Sequence, residues 1–167
     1  CIEKEELTGL PRCRTKNNRL LVIQNAAGAS LEFERNLSAE SNIPKIIGEL
    51  SITKRGYTQE IRRNPEIEFL VNGESVKLRS LFVSNLSYTV PSGGYYAMPV
   101  SYVLTTYKIL IERPLLEKII KAPKVLVRVQ ASSESAKGGY NVLLKVTPEN
   151  VKLMSSFYES CVLKTPE

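Results

Sequence analysis

The run Glu66-Ile-Glu-Phe-Leu-Val-Asn-Gly-Glu-Ser-Val-Lys-Leu78 carries the clearest local structural signal in the chain. Apolar and polar residues alternate on both sides of Asn72-Gly73, and this is the pattern of two half-buried strands. Asn-Gly favours a type I′ turn, because both central positions of that turn have positive φ. We therefore predict an antiparallel hairpin here, and with it an antiparallel sheet.

Further strands and two helices are predicted on either side of this hairpin. Short apolar or alternating runs predict strands at residues 20–24, 30–35, 46–54, 107–111, 124–129 and 140–146. One helix is expected to begin at Pro114 and to end before Pro123, and a second to begin after Thr147, with Pro148 at its first position. The predicted fold class is α+β, a mainly antiparallel β-sheet with two short-to-medium helices in the C-terminal third.

Length and composition favour one folded unit. The chain has 167 residues, of which 43% are hydrophobic, and this suits a single domain with a substantial core. We assign residues 20–167 to a single globular α+β domain and residues 1–19, which are polar and basic, to an N-terminal arm or tether. The apolar runs fall far short of the roughly 20 residues that a membrane-spanning helix needs.

Two residue types that serve most enzymes are missing from the sequence, which contains no histidine and no aspartate. Catalytic triads, the common histidine-containing zinc sites and aspartate-held magnesium are therefore excluded. Glutamates that share a strand face, at 32 and 34 and at 66 and 68, are more typical of a solvated strand face than of a glycosidase pair. We expect a protein that is not an enzyme, with no cofactor and no metal.

The three cysteines suggest an exported protein. Cys1 stands where signal-peptide cleavage of a bacterial lipoprotein leaves the lipidated cysteine, so we predict lipidation of Cys1. Cys13 and Cys161 then remain as a pair, for which we predict a disulfide that joins the two ends of the chain. Such a bond requires an oxidising compartment such as the periplasm. The alternative is a cytoplasmic protein with reduced thiols.

A Tyr- and Gly-rich stretch at residues 88–102 is the best candidate for a binding site. We predict a loop here that presents Tyr88, Tyr95, Tyr96 and Tyr102. Tyrosine offers a large contact area at low entropic cost, and loops often carry function. The alternative is that these rings pack against the edge of the sheet.

The formal net charge of +6 permits an anionic partner. Our leading hypothesis is a non-enzymatic cell-envelope lipoprotein domain with a binding or assembly role, held at the membrane by a lipid anchor on Cys1. Its expected partner is a protein or an anionic envelope component. The alternative is a basic nucleic-acid-binding module that uses the Tyr-rich loop and a Lys/Arg face.

Overall fold

The computed structural model describes residues 2–5, 12–36, 45–56, 65–91, 93–94, 98–133 and 136–163. The strands in these ranges are β1 (Ile2–Glu5), β2 (Arg12–Thr15), β3 (Leu21–Gln24), β4 (Gly28–Asn36), β5 (Lys45–Arg55), β6 (Glu66–Val71), β7 (Glu74–Val90), β8 (Val100–Ile111), β9 (Val125–Ser133) and β10 (Ala136–Lys145). The helices are α1 (Arg113–Lys121) and α2 (Pro148–Phe157), and a π-helical turn (Tyr158–Leu163) follows α2. The predicted α+β class, with a mainly antiparallel sheet and two helices in the C-terminal third, is confirmed.

All ten strands belong to one sheet with the order β1-β2-β4-β5-β8-β7-β6-β9-β10-β3. Its neighbouring strands are antiparallel. The long strand β7 divides the sheet, since residues 74–79 pair with β6 and residues 80–90 pair with β8. We call β1, β2, β4, β5, β8 and the second part of β7 the first half-sheet, and the remaining strands the second half-sheet.

The chain also links the two half-sheets at the N-terminal end of β3. The amide of Leu20 donates to the carbonyl of Ala29, and the amide of Leu31 donates to the carbonyl of Asn18, both at 3.0 Å. Residues 18–20 therefore lie against β4, whereas β3, which follows directly, pairs with β10. This arrangement brings the buried faces of both half-sheets and the helices into one hydrophobic core.

Strand β5 shows how alternate residues point into the hydrophobic core. Ile46, Gly48, Leu50 and Ile52 are buried, and the residues between them are more exposed. A Cβ atom at Gly48 would lie only 2.8 Å from Cδ1 of Ile111 on the neighbouring strand. The side chains of Ile111 and Ile109 occupy the space over Gly48, so a larger residue there would force them to shift.

Two local predictions are confirmed. Asn72 and Gly73 have φ angles of 52° and 87°, as a type I′ turn requires. Thr147 caps α2 by accepting a hydrogen bond from the amide of Asn150, and Pro148 is at the start of the helix. The side chain of Asn150 also donates to the carbonyl of Arg19, so the cap ties α2 to the segment before β3.

Two predicted boundaries differ from the structure. The loop predicted for residues 88–102 is wrong at both ends, because β7 continues to Val90 and β8 begins at Val100. The Gly and Pro residues that suggested a loop are confined to its middle. Residues 1–19 were assigned to an arm, but the described residues among them include strands β1 and β2, and Cys13 and Thr15 are buried.

Candidate binding groove

Tyr88 and Tyr102 are direct cross-strand neighbours on β7 and β8. Their rings stack with centroids 5.5 Å apart and an interplanar angle of 20°. Both lie on the outer face of the first half-sheet, by which we mean the face that points away from the core. The side chains that point inwards on β8 belong to alternate residues, such as Tyr107 and Ile109, which are buried. The pair therefore presents an aromatic surface to solvent, with Tyr88 40% exposed.

Apolar residues flank the tyrosine pair along the same two strands. Leu86 pairs with Leu104 on one side of it, and Val90 pairs with Val100 on the other. Leu86 is 58% exposed and Val90 is also exposed. A row of exposed apolar side chains on one sheet surface is a common feature of recognition sites.

A groove with a volume of about 400 Å³ lies beside the tyrosines on the outer face. We call it the tyrosine groove, and its lining is drawn from the segment before β3, the turn between β3 and β4, and strands β4, β5, β7 and β8. The described lining residues are Arg19, Ala27, Gly28, Ala29, Ser30, Ser51, Thr53, Tyr88, Tyr102 and Leu104.

Small residues and hydroxyl groups form the floor of the groove. Gly28 pairs with Thr53, and an added Cβ at Gly28 would meet only Cβ of Thr53, at 4.0 Å. Ser30 pairs with Ser51, whose hydroxyl lies 3.1 Å from that of Thr106 on β8. The floor is therefore low at Gly28 and supplies hydroxyls that both donate and accept hydrogen bonds.

Arg19 is the only charged residue among the described lining residues. Its backbone is held in place, because it forms a bridge with Ser30 and its carbonyl accepts from Nδ2 of Asn150 at 2.7 Å. Its side chain is exposed. A guanidinium on a fixed backbone is suited to bind a carboxylate or phosphate through two parallel hydrogen bonds.

The groove thus combines an aromatic wall, a hydroxyl-bearing floor and one cation. Sugar rings have apolar C–H faces that pack on aromatic rings, and their hydroxyls exchange hydrogen bonds with serine and threonine. An added carboxylate would pair with Arg19. The arrangement therefore fits an acidic saccharide better than a fully apolar ligand.

The other predicted site residues fall in two groups. Cys13 on β2 and Cys161 in the π-helical turn form a disulfide with a Cα–Cα distance of 5.8 Å, and both residues are buried. This bond joins β2 to the π-helical turn that follows α2. Tyr95, Tyr96 and Cys1 lie outside the described residues.

The paired glutamates on β6 are engaged in ion pairs. Glu66 pairs with Lys77, and Glu68 pairs with Arg128 and accepts a hydrogen bond from Ser75. The hydrogen bond from Ser75 and the guanidinium of Arg128 lower the pKa of Glu68 against the effect of burial. These contacts stabilise the ionised carboxylate of Glu68. They give both Glu66 and Glu68 a structural role, as partners of cations on neighbouring strands.

Sequence reasoning identified two of the groove residues, Tyr88 and Tyr102, and missed Arg19, Gly28 and Thr53. The missed residues are unremarkable in the sequence because they come from separate segments that only the sheet brings together. The sequence offers one local signal for these residues, which is Gly28 at the start of a strand. A glycine in a strand often marks a place where a ligand can approach the backbone closely.

Comparison with protein-family models, with curated proteins and with solved structures finds no match for this chain. Within the described ranges, the helices are too short or too polar to cross a membrane.

Proposed function

We propose that this chain is a non-enzymatic, exported binding domain of the cell envelope, and that the tyrosine groove binds an acidic saccharide. The observation that carries this proposal is the convergence of the Tyr88–Tyr102 pair, the serine and threonine hydroxyls and Arg19 on one groove. The proposed ligand is an anionic component of the envelope, in keeping with the basic net charge.

The disulfide between Cys13 and Cys161 supports the proposed export. Disulfides persist in oxidising compartments and are rare in the cytoplasm. Anchoring through a lipid on Cys1 belongs to the same proposal. Mass spectrometry of the intact, unreduced protein from its native cells tests both points, since a lipid and a disulfide each change the mass. Unmodified protein with three free thiols, recovered from the cytoplasm, would contradict the proposed location.

Binding is tested with uronic-acid oligosaccharides and with neutral oligosaccharides of equal length, titrated into the ¹⁵N-labelled protein and followed by NMR. We expect the acidic series to shift the amide signals of Gly28, Thr53 and Tyr102. Arg19→Gln should weaken acidic binding by about tenfold to a hundredfold, because a hydrogen bond to a charged group contributes about 1.5–3 kcal/mol. Neutral sugars should be little affected by this change.

Matched variants separate the groove from general charge and surface effects. Arg79→Gln removes an exposed arginine on β7 outside the groove, and Leu110→Ala shortens an exposed side chain on β8 away from it. Both should bind like the wild type. The proposal fails if no oligosaccharide shifts the groove signals, or if Arg79→Gln weakens binding as much as Arg19→Gln.

A second candidate, binding of single-stranded nucleic acid, is favoured by one specific contact. Arg55 on β5 is the cross-strand partner of Tyr102, so a cation borders the stacked tyrosines. Bases stack on aromatic rings, and arginine pairs with phosphate. Fluorescence anisotropy with a labelled oligonucleotide should then show binding that decreases steeply with salt and that Arg55→Gln weakens. Lack of binding at low salt would rule this candidate out.

A further inference from the structure

A second cation, Arg55, borders the tyrosine groove on the side opposite Arg19. Ser51 and Thr53 line the groove, and Arg55 takes the next alternate position of β5, so its side chain projects from the same outer face. Arg55 is exposed, and its cross-strand partner Tyr102 belongs to the aromatic wall of the groove. The groove therefore lies between two arginines.

Strand register places these two arginines far apart. Arg19 forms a bridge with Ser30, and Ser30 pairs with Ser51, so Arg19 lies two strands, or about 10 Å, from Ser51. Arg55 lies four residues further along β5, which is about 13 Å from Ser51. Because these two directions are perpendicular, the Cα atoms of Arg19 and Arg55 are separated by roughly 16 Å.

Gly28 lies midway between the two arginines. It is the cross-strand partner of Thr53, and Thr53 lies two residues before Arg55 on β5. Gly28 also lies two residues before Ser30, the bridge partner of Arg19. Since glycine carries no side chain, a ligand chain that runs from one arginine to the other passes over the lowest point of the floor.

We propose that Arg55 is a second anion subsite, and that the groove binds an extended acidic polysaccharide through carboxylates on two separate sugar rings. This inference rests on the proposed function, in which one carboxylate pairs with Arg19, and it adds the second contact and the length of the ligand. The sugar ring beside Arg55 packs on Tyr102. The chain between the two ends crosses Gly28 and exchanges hydrogen bonds with the hydroxyl of Thr53.

The surrounding charges favour a polymer with spaced carboxylates over a nucleic acid. Glu32 and Glu49 are cross-strand partners in the row next to Ser30 and Ser51, and they repel an anionic chain that continues past Arg19 in that direction. A nucleic acid carries a charge on every phosphate. In a polysaccharide, neutral rings separate the acidic ones, and this matches two arginines on either side of the uncharged floor that the described lining residues form.

The test is isothermal titration calorimetry of the full chain with oligosaccharides in which uronic acid alternates with a neutral N-acetylhexosamine. The disaccharide carries one carboxylate, whereas the hexasaccharide carries several and is long enough to reach both arginines. We expect the wild type to bind the hexasaccharide at least about tenfold more tightly than the disaccharide, because the second contact becomes intramolecular. A neutral hexasaccharide of N-acetylhexosamine should bind more weakly than the acidic one.

Variants assign this gain to one residue. Arg55→Gln should remove the gain and leave the affinity for the disaccharide little changed. Arg19→Gln should weaken the binding of both oligosaccharides. Arg79→Gln is the matched control, because it removes an exposed arginine on β7 outside the groove, and it should retain the full gain. Near-ultraviolet circular dichroism of each variant verifies the fold.

The outcomes separate this inference from the proposed function. Equal affinity for the two acidic oligosaccharides overturns the second subsite and leaves the proposed function intact, whereas binding of neither contradicts both. A gain that survives in Arg55→Gln overturns the assignment to Arg55. A single-stranded oligonucleotide that binds more tightly than the hexasaccharide at equal salt, and that Arg55→Gln weakens, overturns the choice of a polysaccharide.

Discussion

Glu68 on β6 and Arg128 on β9 face each other across neighbouring strands and form an ion pair on the outer surface of the second half-sheet. Glu68 is only 7% exposed, although it lies on the face opposite the core. Ser75 donates to the same carboxylate at 2.5 Å, and Lys77 is its cross-strand neighbour on the other side. Three strands are therefore tied together at one carboxylate.

We expect this carboxylate to make stability depend on pH in acid. The contacts lower the pKa of Glu68 below its ordinary value of 4.5, so the folded state favours the ionised form. Its stabilising contribution is thus present above about pH 4.5 and is lost as the pH falls through the lowered folded pKa. Urea unfolding between pH 7 and pH 3 measures this dependence.

Glu68→Gln isolates the contribution of this one group. We expect a loss of about 1–3 kcal/mol at pH 7, since Arg128 keeps partial access to solvent and the pair is not fully buried. The difference between variant and wild type should shrink in acid. A constant difference from pH 7 to pH 3 would contradict the assigned cause.

The disulfide should make the largest single covalent contribution to stability. Cys13 and Cys161 are 148 residues apart in the sequence, and closing a loop of this length contributes roughly 4–5 kcal/mol in the chain-entropy account. We therefore expect Cys13→Ala combined with Cys161→Ala to lower the free energy of unfolding by about 3–5 kcal/mol. Reductant should destabilise the wild type and leave the double variant unchanged.

Two glycines should respond oppositely to added side chains. Gly28 has room for a Cβ, so Gly28→Val should keep or slightly raise the thermal midpoint while its side chain takes up part of the tyrosine groove and weakens ligand binding. Gly48→Ala should lower stability by about 1–3 kcal/mol, because its Cβ would meet Ile111 and Ile109. Calorimetry with ligand titration separates the two effects. A Gly28→Val protein that folds and binds normally would show that the groove is not the site.

A cluster of three side chains connects α1 to the C-terminal turn. The hydroxyl of Tyr158 donates to Glu117, and Arg113 lies 3.1 Å from Glu117 and 3.0 Å from that hydroxyl. The hydrogen bond from Tyr158, followed by that from Arg113, lowers the pKa of Glu117. The bond to Glu117 raises the pKa of Tyr158.

We expect Tyr158→Phe to lower the thermal midpoint at neutral pH, because the phenol then no longer bridges the two helices. The hydrogen bond requires an ionised Glu117 and a protonated Tyr158. The difference in thermal midpoint between variant and wild type should therefore fade below about pH 4.5 and at strongly alkaline pH. Tyr102→Phe, which changes an outer-face phenol instead, is the matched control and should melt like the wild type. Equal shifts in both variants would argue against this cluster.

The sequence by itself determined the local elements, namely the turns, the helix starts and most of the strands. Asn72-Gly73 predicts its turn because positive φ is required at both positions, and Thr147-Pro148 predicts a helix start because the cap satisfies free amides. Alternation of apolar and polar residues predicts most of the strands, because one face of each strand is buried and the other is exposed. These features depend on near neighbours in the chain.

Only the tertiary structure decided which segments meet. The tyrosine groove brings Arg19, Gly28, Thr53 and Tyr102 together through strand register, and no local pattern encodes the register between distant strands. Pairing Cys13 with Cys161 followed from counting cysteines, but whether the two ends of the chain lie close enough to be joined depends on how the whole sheet folds.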